Sequence, residues 1–241
     1  MDSIGALPPD PLMQPLTVDP AAAALSAIAS SARKAAFWDR IARKYAADPI
    51  ADPAGYEATL RRVQALLSAD HDVLEIGCGT GTTALRLAPA TRRYLATDVS
   101  AGMIEIAREK LTAQPLPQLS FTLADAEAPR FGEGDWHAVL AFNLLHLVTD
   151  LDTALATAAQ ALRPGGLLIT KTPCIAEMNP LIPWLAIPLM RAIGKAPQVL
   201  RFRADQLQAA IARQGLVIES VERHGTRGKD IRVFIVARKP A

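Results

Sequence analysis

A glycine-rich turn in the first half of the chain carries the strongest chemical signal. Gly77, Gly79 and Gly81 alternate with other residues directly after a short, mainly apolar run, residues 73–76. A turn built on glycines lets the backbone approach a ligand closely, because no side chain intervenes and a positive φ costs little. Where a turn joins a strand to a helix, it also presents unpaired backbone N–H groups. The spacing therefore predicts a ligand-binding turn, with the carboxylate of Glu75 beside it.

Two further carboxylates follow predicted strands. Asp98 ends the strand predicted for residues 93–99 and lies about twenty residues beyond Gly77, where a doubly wound fold places the group that accepts hydrogen bonds from ribose hydroxyls. A carboxylate suits that task because it has two acceptor oxygens and no donor. Asp125 follows the strand predicted for residues 119–123, at the end where ligands bind in open α/β sheets. These positions predict a nucleoside-containing ligand.

The glycine spacing distinguishes two nucleoside cofactors. A dinucleotide-binding turn has the pattern G-x-G-x-x-G, whereas residues 77–81 have the pattern G-x-G-x-G. Residues 73–81, VLEIGCGTG, resemble motif I of the class I S-adenosylmethionine-dependent methyltransferases. Residues 98–103, DVSAGM, are similar to the D-x-S-x-x-M stretch of that family, and residues 161–166, ALRPGG, are similar to its L-(K/R)-P-G-G motif. A nicotinamide-dependent oxidoreductase remains the alternative that these glycines favour less.

The resemblance implies S-adenosylmethionine as the cofactor and assigns roles to individual residues. Glu75 is expected to bind the amino group of the methionine part, Asp98 the ribose and Asp125 the adenine amino group. Tyr45, on an aromatic helix ahead of the turn, is expected near the methionine carboxylate. Its alternative role is to form the core face of that helix with Phe37 and Trp38. The predicted cofactor-binding residues are Tyr45, Glu75, Gly77, Cys78, Gly79, Thr80, Gly81, Asp98, Val99, Met103, Asp125, Ala126 and Asn143.

One histidine is a candidate catalytic residue. His146 follows the strand predicted for residues 135–143, in a segment that is similar to the one beside the sulfonium in small-molecule members of the family. An ordinary histidine pKa near 6.5 suits proton removal at neutral pH, so His146 is the candidate general base. The alternative is a structural role, since methyl transfer frequently needs no base.

The elements that must position these residues are predicted as a Rossmann-like α/β fold. The resemblance implies a doubly wound, seven-stranded, mostly parallel sheet with a C-terminal antiparallel hairpin and an N-terminal helical cap. Residues 1–30 are predicted as a flexible tail and residues 31–241 as a single methyltransferase domain. The parts of this domain are the cap (31–70), the cofactor-binding core (71–171), a substrate lid (172–204), and the last helix and hairpin (205–241).

Composition limits the other possibilities. A chain of 241 residues suits one α/β domain, and its apolar runs are broken by proline before the roughly 18–20 residues that cross a bilayer. Two cysteines predict a reduced, cytoplasmic protein, and no metal-ligand cluster is visible. Residues 191–241 contain eleven Lys/Arg against four Asp/Glu. This basic end is interpreted as a solvated face, with attraction to an anionic substrate or a peripheral membrane contact, aided by the apolar lid, as the alternative.

The predicted activity is methyl transfer from S-adenosylmethionine to an oxygen, carbon or nitrogen nucleophile of a small molecule, including hydrophobic or lipid-like ones. The general layout resembles the ubiquinone/menaquinone C-methyltransferase group, which does not identify the acceptor. No nucleic-acid partner is expected, because basic and aromatic residues do not interleave and the N-P-P-(Y/F) signature is absent. The alternatives are a non-catalytic cofactor-binding regulator and a membrane-surface interaction protein. Neither the acceptor atom nor the oligomeric state follows from the sequence.

Overall fold

The computed structural model describes residues 20–128, 131–178, 181, 189–190, 196–228 and 230–241. The strands are β1 (Asp72–Ile76), β2 (Arg93–Asp98), β3 (Leu119–Leu123), β4 (Trp136–Phe142), β5 (Leu162–Pro173), β6 (Val217–Glu222) and β7 (Arg232–Arg238). They form one seven-stranded sheet in the order β3-β2-β1-β4-β5-β7-β6. Strands β1 to β5 pair in parallel, whereas β7 is antiparallel to both β5 and β6. The predicted sheet and its C-terminal hairpin are confirmed.

Helices cover both faces of this sheet. They are α1 (Pro20–Ala47), α2 (Pro53–Gln64), α3 (Thr82–Leu87), α4 (Ala101–Ala113), α5 (Leu151–Ala161) and α6 (Ala204–Arg213). Because successive strand residues point to opposite faces, neighbours in β1 enter different cores. Leu74 packs in the cluster that contains buried residues of α5 and α6. Val73 packs in the cluster that contains buried residues of α2, α3 and α4. The strands are apolar on both faces, as expected for a parallel sheet between helices.

Helix α1 is longer than the sequence predicted. It begins at Pro20, so residues 20–30 of the segment predicted as a flexible tail are helical. The rest of that segment, residues 1–19, lies outside the described residues. Residues 20–30 are alanine-rich, and alanine has the highest helix propensity even where no apolar stripe is present. The helix is fixed on α4 by Asp39, whose carboxylate accepts hydrogen bonds from Ser100 Oγ at 2.6 Å and Gly102 N at 2.9 Å.

Strand β5 starts at Leu162, directly after α5, so it includes the L-R-P-G-G segment. The pairing with β4 shifts register within this segment, and Gly165 adopts a φ of +76° there. Gly165 N also donates to Lys239 O at 2.9 Å. The glycines therefore form an irregularity inside the strand, paired to the end of the chain, and not a reversal before it.

The insert between β5 and α6 is only partly described. Residues 179–180, 182–188 and 191–195, which include most of the apolar lid prediction, lie outside the described residues. The described ends are held by backbone hydrogen bonds, from Leu200 N to His146 O at 2.8 Å and from Ala176 N to Phe202 O at 3.3 Å. Both ends of the insert are thus anchored near His146. Among the helices in the described part of the chain, none combines the length and apolarity that crossing a membrane requires.

Several arginines of the basic C-terminal region form ion pairs within the described residues. Three of its arginines bind carboxylates: Arg213 binds Asp152, Arg223 binds Glu177 and Arg238 binds Glu219. These pairs are partly or fully solvent-exposed, so each contributes little to stability. They favour the interpretation of a solvated, mixed-charge face over that of a continuous cationic surface.

Candidate active site

A cavity of about 720 Å³ opens at the carboxyl ends of the parallel strands. All but one of the residues predicted to bind cofactor or act in catalysis line it. The lining residues from that set are Tyr45, Glu75, Gly77, Cys78, Gly79, Thr80, Asp98, Val99, Met103, Asp125, Ala126, Asn143 and His146. The exception is Gly81. Residues from the first half of the chain and from β5 and β7 thus meet at one edge of the sheet, where ligands bind in doubly wound folds.

The three glycines of the turn have different neighbours. A Cβ atom at Gly77 would lie 2.6 Å from Leu144 Cδ1, and one at Gly81 would lie 2.6 Å from Phe121 Cζ. At Gly79 the nearest atom would be Tyr45 Cε1 at 3.9 Å, so the space above this residue opens into the cavity. Gly77 and Gly81 are therefore required by packing, and Gly79 provides room for a ligand. All three have positive φ angles.

The unpaired N–H groups predicted for this turn are not found at three of its positions. Cys78 N donates to Thr97 O at 2.9 Å, and Gly81 N donates to Cys78 O at 3.1 Å. Gly79 N donates to Asp98 Oδ2 at 2.9 Å. The prediction was wrong there because β2 lies close enough to satisfy the turn from within the protein. The turn therefore offers a ligand open space and carbonyl groups more than N–H donors.

The last two glycines of this turn, Gly79 and Gly81, give a matched pair of substitutions. Both Gly79→Ala and Gly81→Ala place a side chain at a positive φ, which costs about 1 kcal/mol. We expect Gly81→Ala to lose a further ~1–3 kcal/mol of unfolding free energy, because its methyl group would overlap Phe121. Urea denaturation measures this difference. Gly79→Ala should instead weaken ligand binding in calorimetry, and equal stability losses in the two variants would contradict these assignments.

Glu75 is a buried acid at the base of the cavity. The residue is 2% exposed, and its carboxylate accepts a hydrogen bond from Tyr94 Oη at 2.8 Å. Burial raises the pKa of Glu75 to about 7; the Tyr94 hydrogen bond lowers it and the nearby charge of Asp98 raises it further. No cation pairs with Glu75 within the residues that the structure describes. A carboxylate in this state provides a strong site for a cationic group.

Asp98 connects the end of β2 to the glycine turn. Its Oδ2 accepts from Gly79 N and its Oδ1 from Ser100 N, both at 2.9 Å. Burial raises the pKa of Asp98, whereas the N–H groups of Ser100 and Gly79 lower it. Each carboxylate oxygen has two lone pairs, so these two hydrogen bonds leave acceptor capacity on a side chain that lines the cavity. The geometry is compatible with the predicted ribose contact.

Asp125 already has a cationic partner, which the sequence did not reveal. Lys34 Nζ of α1 lies 2.9 Å from Asp125 Oδ2 and also pairs with Glu127. Asp125 Oδ1 additionally accepts from Glu127 N at 3.1 Å. An adenine amino group would therefore share this carboxylate with Lys34, which itself lines the cavity. The pair also fixes α1 over the edge of the sheet.

Aromatic residues of α1 form one wall of the cavity. Trp38 packs edge-on against Tyr45, with 6.0 Å between ring centroids, and also contacts the small cluster of Ala42, Met103 and Ile106. Tyr45 is half-exposed and lies over Gly79. Burial of its hydroxyl raises the pKa of Tyr45, and the charge of Asp98 adds to this effect. The two roles considered for these aromatic residues, packing in the core and facing the cofactor site, both hold in part. Trp38 packs on the protein, and Tyr45 also faces the cavity.

The turn after β4 places His146 in the lining of the cavity, and Leu144 of the same turn lies against Gly77. Asn143 begins this turn with a φ of 53°, the left-handed region that asparagine tolerates better than most residues. Asn143 N donates to Lys171 O at 2.7 Å. Burial, with a smaller contribution from the charge of Arg232, lowers the pKa of His146 to about 4. Its Nδ1 is buried and has no hydrogen-bond partner among the described residues.

The low pKa of His146 has two expected consequences. The imidazole is neutral at physiological pH but too weakly basic to be an efficient general base. A histidine whose folded pKa lies below its ordinary 6.5 stabilises the fold above pH 6.5, and this contribution is lost as the pH falls through about 4. We expect the wild type to lose unfolding free energy more steeply than His146→Gln between pH 6.5 and 4. Equal slopes in urea denaturation would contradict this burial.

Several residues of the cavity were not identified from the sequence. The most informative are Lys171 near the end of β5, Thr59 on α2 and Arg232 at the start of β7, all of which line the same cavity as His146. One signal for Lys171 was present. It follows Leu167 and Ile169, which are apolar residues on the same face of β5, so a charge at the next inward position breaks the pattern.

Comparison with known proteins supports these findings. Residues 73–166 match the family described as "Methyltransferase domain". The methyltransferase GfsG of Streptomyces halstedii is 33% identical over 142 residues, which cover 56% of this chain and 51% of the relative. The O-methyltransferase cnsE of Penicillium expansum is 27% identical over 187 residues, which cover 77% of this chain and 65% of the relative. The chain thus spans less than two thirds of either relative.

A solved structure agrees in fold. The S-adenosylmethionine-dependent methyltransferase from Mesorhizobium loti superposes with a TM-score of 0.63 at 19% identity, covering 77% of this chain and 98% of that one. Identity at that level supports the fold alone, but the matched domain contains the glycine turn, Glu75, Asp98 and Asp125 that line the cavity. The resemblance to the ubiquinone/menaquinone group stays a prediction. Residues 73–166 thus match a methyltransferase domain, and the fold of the chain is similar to that of S-adenosylmethionine-dependent methyltransferases.

Proposed function

We propose that this chain transfers a methyl group from S-adenosylmethionine to an oxygen, carbon or nitrogen nucleophile of a small molecule. One observation carries the proposal: the carboxylates of Glu75 and Asp98 line the same cavity beside Gly79, the one glycine of the turn that leaves open space. Glu75 is suited to the ammonium group of the cofactor and Asp98 to its ribose. The open space at Gly79 leaves room for the part of the cofactor that joins these two groups.

The charge state of Glu75 supports this fit. A buried carboxylate without a cationic partner among the described residues is costly, and an incoming ammonium group would compensate for it. Binding is then expected to lower the pKa of Glu75 towards its ordinary value, because an opposite charge favours the ionised form. Asp98, held by two backbone N–H groups, is preorganised to accept hydrogen bonds from hydroxyl groups.

The bound cofactor supplies an electrophilic methyl group on a sulfonium. The residues of this chain would align the acceptor with it and exclude water. Tyr45 and Trp38 of α1 line this cavity together with the turn that contains Asn143 and His146. The low pKa of His146 argues against proton removal by this residue. The proposal therefore assigns alignment, and not base catalysis, to the described residues.

Calorimetric titration with S-adenosylhomocysteine, with NAD titrated in parallel, tests the cofactor. We expect saturable binding of S-adenosylhomocysteine and none of NAD. Transfer of a labelled methyl group from S-adenosylmethionine to a panel of small acceptors then tests the reaction. Binding without transfer to any acceptor would favour a non-catalytic regulator, and binding of NAD alone would overturn the proposal.

A further inference from the structure

Lys171 carries a buried ammonium group and lines the cavity. The residue is 9% exposed and stands two positions before the end of β5. Its strand neighbour in β4 is Phe142, the residue before Asn143. Because Asn143 N also donates to Lys171 O at 2.7 Å, the lysine is fixed to the turn that leads to His146. Lys171 therefore lines the cavity beside the turn that contains Asn143 and His146.

A hydrogen-bond network holds the side chain in place. Lys171 Nζ donates to Thr59 Oγ1 at 2.8 Å, and Thr59 Oγ1 lies 3.0 Å from His224 Nδ1. His224 Nε2 lies 3.0 Å from Glu222 Oε2. Burial raises the pKa of Glu222, but hydrogen bonds from His224, Ser220 and Arg62 outweigh burial and hold it at about 2. This carboxylate only accepts, so His224 Nε2 carries a proton and the ring keeps one orientation towards Thr59.

The ammonium group retains unused hydrogen-bonding capacity. It has three N–H donors, and within the described residues only the bond to Thr59 engages one of them. No carboxylate of the described chain lies within ion-pair distance of Lys171 Nζ. A buried cation in this position is costly unless a partner accepts its remaining protons. The partner has to enter from the cavity.

The charged groups around Lys171 define the kind of partner. Burial lowers the pKa of Lys171, Asp230 raises it, Arg232 lowers it and Asp52 raises it. Both carboxylates are already occupied: Asp52 accepts from Gly55 N and Thr226, and Asp230 accepts from Gly225 N and Arg232 N. Neither carboxylate reaches Lys171 Nζ, but both offset part of the positive charge of Lys171 and Arg232, so the local field does not favour a phosphate dianion. It suits a singly charged oxyanion that uses the free donors of Lys171.

We propose that Lys171, assisted by Arg232, forms a subsite that binds a carboxylate group of the methyl acceptor. The inference rests on the proposed methyl-transfer function and names the acceptor class as small organic monoacids. In this arrangement the carboxylate lies against Lys171 and the nucleophilic atom of the same molecule points towards the cofactor end of the cavity. Lys171 is then a binding and positioning residue, and it takes part in no proton transfer.

The test uses the full chain saturated with S-adenosylhomocysteine, titrated by ligand-observed NMR with three matched probes: benzoate, benzamide and phenyl phosphate. We expect benzoate to bind about tenfold more tightly than benzamide, since only benzoate adds a negative charge to the hydrogen bond from the ammonium group. Phenyl phosphate should bind no better than benzoate. Lys171→Met should abolish the preference for benzoate over benzamide. Lys44→Met, at an exposed lysine of α1 that does not line the cavity, is the matched control.

The outcomes separate this inference from the function on which it rests. If S-adenosylhomocysteine itself does not bind, the proposed function fails. If it binds but benzoate shows no preference over benzamide, or if Lys171→Met keeps the preference, the carboxylate subsite is overturned. Tighter binding of phenyl phosphate would also overturn it, in favour of a phosphorylated acceptor. Should Lys171→Met not fold, Arg232→Gln at an exposed position should reduce the preference by roughly twofold to fivefold, as for a partly screened charge.

Discussion

Glu75→Gln is expected to stabilise the ligand-free protein at pH 8 and to weaken its binding of S-adenosylhomocysteine at least about tenfold. The stabilisation arises because burial raises the pKa of this carboxyl to about 7, above its ordinary 4.5. Between these values the unfolded chain releases the proton while the folded chain retains it, so stability falls as the pH rises. The total loss is about 3 kcal/mol, complete above pH 7. Glutamine does not titrate and lacks this loss.

Urea denaturation at pH 5 and pH 8 measures the effect on stability. The two proteins should have similar unfolding free energies at pH 5, and the variant should be the more stable at pH 8. Glu57→Gln is the matched control, because Glu57 is an exposed carboxylate on α2 that pairs with Arg86 outside the cavity. The control should show no gain at pH 8. A wild type whose stability does not fall between pH 5 and pH 8 would contradict the burial of an uncompensated acid.

The same residue gives a signature of binding that does not depend on turnover. Below pH 7 the wild-type carboxyl is mainly protonated, so binding of an ammonium group should release close to one proton at pH 6. Titrations in buffers of different ionisation enthalpy measure this release. Glu75→Gln should release none. Identical affinity and proton release in both proteins would remove Glu75 from the cofactor site.

The sequence was most informative where local patterns agreed with the packing of the fold. Strand β3 has the predicted bounds, because proline precedes a short, mainly apolar segment there. The glycine turn and the carboxylates at strand ends were also placed correctly beside one cavity. Parallel strands bring their carboxyl ends to one edge, so the order of elements along the chain was enough to assemble these residues.

The features that the sequence did not reveal depend on contacts between distant side chains. Lys34 meets Asp125 because α1 passes over the edge of the sheet, a placement that the pattern of the helix does not encode. Lys171 meets Thr59 across 112 residues, which no local pattern encodes. The satisfied N–H groups of the glycine turn belong to the same class, since Asp98 reaches Gly79 from the neighbouring strand. Predicting them requires the packing of the whole sheet and not the type of each element.

Asp98→Ala is expected to weaken S-adenosylhomocysteine binding by about 1.5–3 kcal/mol, since hydrogen bonds to a charged acceptor are lost. The structure adds a second cost. Both carboxylate oxygens already accept backbone N–H groups, from Gly79 and Ser100, and the substitution leaves these donors unpaired. Each unpaired buried donor costs about 1–3 kcal/mol, so the variant should also unfold at a lower urea concentration. Affinity and stability must therefore be measured on the same preparation.

A matched control separates the two costs of losing Asp98. Asp48 is an exposed aspartate that also lines the cavity, so Asp48→Ala removes one negative charge from the same cavity but no buried acceptor. Asp48→Ala should keep both its stability and its affinity for S-adenosylhomocysteine. If folded Asp98→Ala binds S-adenosylhomocysteine as tightly as Asp48→Ala does, the role of Asp98 is limited to stabilising the glycine turn. If Asp98→Ala loses more affinity than its fraction of unfolded protein accounts for, the wild-type Asp98 carboxylate accepts hydrogen bonds from the ligand. That is the role that the position of Asp98 at the end of β2 predicts.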